Sequence, residues 1–275
     1  MGLRVNTNIG SLNAQRHLSL VSERLHGNFQ RLASGLRIAV ASDDPAGLGI
    51  SERMRSQIRS LGQAARNGYD GVSLVQTAEG ALNEVNTNLI RMRELAIQAS
   101  NGTYSTADRV TLDIEFQSLL NEIDRVSTST QFNGVDVLNS AAGMVTIQIG
   151  TELGDTIDID LSDTSSSALG LFGASFDITT STNAVDLLDS IDSAIDTLVS
   201  TRGRLGASQN RLETAIRSIQ NAEEKLASAE SRIRDVDVAE ETADMTRNAI
   251  VQQAAVSVLA QANLQSRIAL TLLQG

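Results

Sequence analysis

Between Ile191 and Ile233 the apolar side chains hold one strict register of fours, threes and their sum: Ile191, Ile195, Leu198, Leu205, Leu212, Ile216, Ile219, Leu226 and Ile233. A heptad repeat sustained over that distance specifies a long helix with one face committed to partner helices. Arg202, Gln209, Glu223 and Glu230 fill the remaining seam positions, so polar interruptions set the register. A second long helix is predicted upstream. Asp43-Asp44-Pro45 supplies a capping acid followed by a first-turn proline. Met54, Ile58, Leu61, Ala65, Gly68, Val72 and Val75 then alternate steps of four and three. After a slip of one residue the pattern resumes through Ala78, Leu82, Val85, Leu89, Met92, Ala96 and Ala99. Gly71 and Gly80 each cost this helix about 1 kcal/mol relative to Ala.

Two shorter seams lie at the ends of the chain. Ile9, Leu12, Leu18, Val21, Leu25 and Leu32 are close to helical spacing and stop at Ser34-Gly35. Near the other end Val251, Ala255, Val258, Ala262, Ala269 and Leu272 share a heptad seam interrupted by Gln265. The two amphipathic ends can pair with each other, and the apolar stripe left over needs further cover, most economically from other copies of the chain.

Asn101-Gly102 marks a turn, and Val110, Ile114, Leu119, Leu120 and Ile123 predict a short helix after it, closed by Phe132-Asn133-Gly134. Val145, Ile147 and Ile149 alternate with polar residues, as do Ile157, Ile159 and Leu161 beyond a turn from Gly150 to Gly154, which predicts a β-hairpin with one buried face. The stretch from Ser162 to Thr182, rich in Ser, Thr and Gly, reads as an irregular surface loop in which Ser162 to Ser167 are dispensable. The expected fold is mainly α: an elongated, coiled-coil-like helical rod with a small β-hairpin. Its divisions are a terminal-helix domain at 1–42 and 234–275, a rod at 43–142 and 183–233, and a hairpin with loop at 143–182.

Composition narrows the function. Two tyrosines, five phenylalanines, one proline and no tryptophan suit helix seams rather than sandwiches or barrels. Absence of cysteine excludes disulfides, thiolate nucleophiles and Cys-based metal sites. The first residues, Met1 to Ile9, lack the continuous apolar stretch of a cleaved signal peptide, and no run of about 18 apolar residues predicts a membrane span. The net charge is −11, and residues 143 to 200 hold acids but neither Lys nor Arg, which disfavours nucleic acid and suggests a solvated outer face. No membrane partner or cofactor is expected. His17 and His26 miss the i, i+4 spacing of a metal pair, Gly47-Leu48-Gly49 is not a dinucleotide loop, and Asp155, Asp158, Asp160 and Asp163 read as a solvent face rather than a calcium site. An enzyme is not expected.

Several long blocks resemble one family in the right order. Asn6-Thr-Asn-Ile, Ser34-Gly-Leu-Arg-Ile, Asp43-Asp-Pro-Ala-Gly-Leu-Gly-Ile-Ser-Glu and Gln57-Ile-Arg-Ser-Leu are similar to the amino-terminal signature of bacterial flagellins. Asp70-Gly-Val-Ser-Leu-Val-Gln-Thr-Ala-Glu-Gly-Ala-Leu, Arg93-Glu-Leu-Ala-Ile-Gln-Ala and Asn121-Glu-Ile-Asp-Arg-Val continue it. Leu205-Gly-Ala-Ser-Gln-Asn-Arg-Leu, Ala229-Glu-Ser-Arg-Ile-Arg-Asp-Val-Asp and Leu259-Ala-Gln-Ala-Asn carry the resemblance through the other half. Residues 143 to 200 match weakly, as in a short form with a minimal variable insert.

The resemblance implies a structural subunit that self-assembles into the helical flagellar filament for swimming motility, its terminal helices paired as an inner layer. Leu12, Leu18, Val21, Leu25, Leu32, Val251, Ala255, Val258, Ala262, Ala269 and Leu272 are the candidate assembly seam. It also implies secretion through the flagellar export apparatus with a chaperone on the C-terminal segment, and contact with the filament cap and hook-associated proteins. Arg91, Leu95 and Glu115 match the family's site for the flagellin-sensing Toll-like receptor; read from packing instead, Leu95 belongs to a core and Arg91 and Glu115 bridge subunits. A hook-filament junction protein with flagellin-like termini is the alternative.

Overall fold

Among the residues described by the computed structural model, 7–172 and 176–274 with side chains in the last helix as far as Leu264, five helices and two short ribbons follow one another. Helices α1 (Ile9–Ser34) and α2 (Pro45–Ser100) lead to α3 (Thr106–Ser129). The first ribbon pairs β1 (Gln131–Phe132) with β2 (Val135–Asp136), and the second pairs β3 (Met144–Gln148) with β4 (Thr156–Asp160). Helices α4 (Ser181–Arg234) and α5 (Val238–Gln274) complete the order. The chain forms two compact units, one from residues 1–56 with 225–275 and one from 57–224.

Local chemistry explains the helix ends. Asp44 accepts from the backbone N–H groups of Ala46 and Gly47, which no earlier turn of α2 can serve. Ser105 and Asp108 form a reciprocal capping box at the start of α3. The Ser105 hydroxyl and N–H hold the Asp108 carboxyl below the ordinary aspartate range. Gly35 ends α1 with φ at 71° and returns its N–H to the Arg31 carbonyl, a left-handed conformation that glycine adopts without a Cβ clash.

The 57–224 unit is built on the predicted seams. Val75, Ala78, Leu82, Val85, Leu89, Met92, Ala96 and Ala99 of α2 share one core with Ile191, Leu198, Leu205 and Leu212 of α4. Helix α2 runs through Gly71 and Gly80 without a break. The β3–β4 hairpin has the expected register, with Val145 opposite Ile159 and Ile147 opposite Ile157, and it buries Ile157 and Ile159. Gly68 of α2 shows why a seam position carries no side chain: an added Cβ would lie 2.8 Å from Cγ1 of Ile216. Gly68→Val is therefore expected to destabilise this unit by about 1–3 kcal/mol despite its better helix propensity. Urea unfolding of the variant beside Gly80→Ala, whose Cβ meets nothing within 4 Å, separates overpacking from propensity.

Three expectations need correction. In α3 Ile123 is buried and Leu119 and Leu120 pack on the core as expected, beside Phe116, Val126 and Ser127, but Val110 and Ile114 are exposed, because the helix turns its Phe116 edge to the core and leaves the other edge in water. Phe132-Asn133-Gly134 does not close an element but opens a hairpin: Asn133 and Gly134 have φ of 50° and 79°, the positive values of a two-residue turn joining β1 to β2.

The stretch from Ser162 to Thr182 is irregular but is not a solvated loop. Thr164, Ser166, Leu169, Leu171, Phe176 and Ile178 are buried, and the Phe176 ring lies 5.8 Å from that of Phe116. Its buried Thr164 and Ser166 have fixed partners. Ser166 donates its N–H and hydroxyl to the Asp124 carboxylate at 2.8 Å each, and the Thr164 N–H reaches the Leu138 carbonyl at 2.9 Å. Buried polar groups persist when paired in this way, so an irregular, Ser-rich segment can wall a core.

Candidate assembly surface

Helices α1 and α5 pack along each other. Asn8 caps α1 by accepting from the Ser11 N–H and donates to the Ala262 carbonyl at 2.8 Å. Ser11 donates to Asn263, Gln252 donates to Ser22 at 3.1 Å, and Asn248 donates to Asn28 at 2.8 Å. As the α1 number rises the α5 number falls, so the pair is antiparallel. Its base is tied by Arg37, whose N–H donates to the Arg234 carbonyl, and by Val236, whose N–H donates to the Gly35 carbonyl. Arg234 is buried there and donates to Glu52 at 2.5 Å.

The seam between the two helices differs from the one read in sequence. On α1 the contact positions are Ser11, Ala14, Leu18, Val21, Leu25, Asn28 and Leu32, a strict three-four register. Leu18, Val21, Leu25 and Leu32 were expected there; Leu12 was too, and it is exposed. On α5 the matching positions are Glu241, Met245, Asn248, Gln252, Ala255, Leu259 and Ala262. Ala255 and Ala262 belong to both readings, whereas Val251 and Val258 point away from α1 and are 44% and 54% exposed. The Ala269 and Leu272 side chains lie outside the described residues. The polar members Asn28, Glu241, Asn248 and Gln252 do not stand out in the sequence, because the apolar residues of the terminal helices also fit a neighbouring stripe, although the spacing of these four relative to Ala14, Val21 and Ala255 carries the signal.

Between them α1 and α5 bury few apolar side chains and expose many. Ile9, Leu12, Leu20 and Phe29 on α1, with Ile250, Val251, Val256, Val258 and Leu264 on α5, are all more than two-fifths exposed. One pair of helices does not display so much apolar surface for its own stability.

Arg91, Leu95 and Glu115 separate by role. Arg91 donates through Nε to Glu115 at 2.8 Å and through Nη1 to Glu94 at 3.0 Å, an exposed bridge from α2 to α3. These carboxylates hold the Arg91 guanidinium above its ordinary value. Leu95 is fully buried in the core and presents no atom to a partner, so as a contact residue it is set aside. The aspartates of the hairpin region hold polar partners of their own: Asp158 accepts from Thr146, Asp160 pairs with Arg204 at 2.7 Å, and Asp163 accepts from the Ser165 N–H.

Comparison with known proteins decides the family. Residues 5–142 match the bacterial flagellin N-terminal helical region, and residues 188–273 match the bacterial flagellin C-terminal helical region. The chain belongs to the bacterial flagellin family. It is 47% identical over 270 residues to a flagellin of Halalkalibacterium halodurans, covering 98% of this chain and 99% of that one. It is also 41% identical over 304 residues to a Bacillus subtilis flagellin, covering 99% of this chain and all of that one. A Bacillus cereus flagellin crystal structure superposes with a TM-score of 0.51 at 32% identity, over 56% of this chain and 88% of that one. A putative flagellar hook-associated protein of Vibrio parahaemolyticus reaches a TM-score of 0.60 over 70% of this chain and all of its own length, at 13% identity, which shows a shared fold alone. Flagellin is a family of structural proteins rather than enzymes, and this chain is a flagellar filament subunit. Its nearly full-length match to the two flagellins leaves no room for a large central insert.

Proposed function

We propose that the paired helices α1 and α5 are the element through which copies of this flagellin add to one another, forming the inner layer of the filament. The supporting observation is the apolar surface left uncovered on both helices: Ile9, Leu12, Leu20 and Phe29 on one, Val251 and Val258 among others on the other. A filament subunit is surrounded by copies of itself, and a heterologous, non-closing contact between identical chains covers such a stripe at every addition. In this reading Leu12, Val251 and Val258 contact neighbouring subunits, whereas Leu18, Val21, Leu25, Leu32, Ala255 and Ala262 hold the pair itself. Residues 1–42 and 234–275 form the filament core, 43–142 and 183–233 the helical rod, and 143–182 the hairpin with its packed segment. The exposed Arg91–Glu115 bridge is the part of the α2–α3 surface available to a neighbouring subunit or to the flagellin-sensing Toll-like receptor.

Secretion through the flagellar export apparatus, a chaperone on α5, the filament cap and hook-associated proteins complete the proposal by analogy with the family. A chain that travels before assembly gains from a terminal pair too weak to fold firmly alone. Ala14 and Val21 are the apolar residues of α1 that are buried, so the pair draws little on apolar burial until neighbours arrive. Limited proteolysis is expected to trim both termini of the monomer, spare the 57–224 unit, and leave the termini intact in filaments. Equal protection of both ends in a verified monomer would show that the pair needs no neighbours.

A further inference from the structure

The seam between α1 and α5 carries polar residues at Ser11, Asn28, Glu241, Asn248 and Gln252, and Asn28, Glu241 and Asn248 meet one another. Asn28 is 7% exposed and uses both ends of its amide: it donates to Glu241 at 2.5 Å and accepts from Asn248 at 2.8 Å. Glu241, 8% exposed, also lies 3.9 Å from Arg31. One layer further along, Gln252 donates to Ser22. The seam positions on either side of this cluster, Leu25, Leu32 and Met245, are apolar.

We propose that Asn28, Glu241 and Asn248 fix the register of the terminal pair, selecting the one alignment in which each of them finds a partner. A heptad seam is nearly degenerate in apolar terms, because a slip of seven residues replaces one small or aliphatic contact with another. The α5 seam offers Ala255 seven residues after Asn248 and Leu259 seven residues after Gln252. A slip in that direction places Asn28 between Asn248 and Ala255 and carries Glu241 beyond its reach. The opposite slip places Asn248 against Val21. Either breaks one of the two bonds that Asn28 makes and parts Glu241 or Asn248 from it, the kind of penalty by which single polar residues specify register in coiled coils. The role matters because the register of the pair decides where Leu12, Val251 and Val258 stand relative to one another, and each incoming subunit must present the same surface as the last. This inference rests on the terminal pair being the assembly element.

The chain holds no cysteine, so engineered pairs report the register cleanly. Ser22→Cys is combined with Gln252→Cys for the observed alignment, and with Leu259→Cys or Met245→Cys for the two slipped ones. Each pair is oxidised in the soluble chain and in filaments and read by mobility on non-reducing gels. The otherwise unaltered seam is expected to close 22–252 alone. With Asn28→Leu, Glu241→Leu and Asn248→Leu together, which leave no buried polar group unpaired, all three pairs are expected to close in comparable yield. Closure of 22–252 alone in that background would overturn the register role and leave the assembly reading standing. Failure of all three pairs on the unaltered seam, in filaments as well, would overturn the terminal pairing on which both rest.

Discussion

Val258→Asp is expected to abolish filament growth while leaving the monomer's 57–224 unit folded. Val258 lies on α5 on the side turned away from α1 and is 54% exposed in the single chain, so a carboxylate there stays in water and costs the monomer little. In the assembly proposed above the same position faces a neighbouring copy. Covering the remaining half of the Val258 side chain contributes about 1–1.5 kcal/mol per subunit, and an unpaired carboxylate in its place costs several kcal/mol. At about 1.4 kcal/mol per factor of ten, a difference near 4 kcal/mol raises the protein concentration needed for growth roughly a thousandfold. Every addition meets the same contact, so growth cannot bypass it. Sedimentation of seeded mixtures is expected to show no polymer, with the monomer's circular dichroism nearly unchanged. Filaments of Val258→Asp at the concentration that suffices for the unsubstituted chain would remove the α5 outer face from the assembly surface.

That test depends on a distinction the sequence did not make plain. A heptad reading groups Val251, Ala255, Val258 and Ala262, since all four are small or aliphatic and correctly spaced. In the folded pair Ala255 and Ala262 face α1, and the two valines belong to the next stripe round the helix. The physical reason is the polar content of the true seam: Glu241, Asn248 and Gln252 occupy positions that an apolar template skips, which shifts the inferred stripe towards its valine neighbours. The helices were legible because their seams are largely apolar and their ends carry strong stop and start signals, as at Gly35 and Asp44. The β3–β4 hairpin was legible from strict alternation. Less legible was any element whose burial comes from few residues in an otherwise polar stretch, such as the Asn133-Gly134 hairpin. The family resemblance identified the kind of molecule; the direction each terminal residue faces came from the folded pair.

Removal of Ser162 to Ser167 is expected to unfold the 57–224 unit at temperatures where the unaltered chain is stable, against the sequence's suggestion of a dispensable loop. The deletion removes Thr164 and Ser166, both buried, together with the hydrogen bonds from Ser166 to the Asp124 carboxylate and from Thr164 to the Leu138 carbonyl. Each broken buried pair costs about 1–3 kcal/mol. Geometry adds to this. Six residues span up to about 20 Å, and the deletion would join Leu161 directly to Ala168, although Leu161 continues strand β4 and Leu169 and Leu171 are anchored in the core. One or more of these leucines must leave the core, at about 2–5 kcal/mol each by analogy with truncation to Ala. A total above about 5 kcal/mol lowers the melting temperature of a unit of this size by more than about 10 °C. Asp124→Asn, which keeps an acceptor for Ser166 but loses the charge, is expected to fall by only a few degrees. Scanning calorimetry of the two variants beside the unaltered chain orders the effects. A deletion variant that melts with the unaltered chain would mean that the segment from Ser162 to Thr182 lies on the core without supporting it.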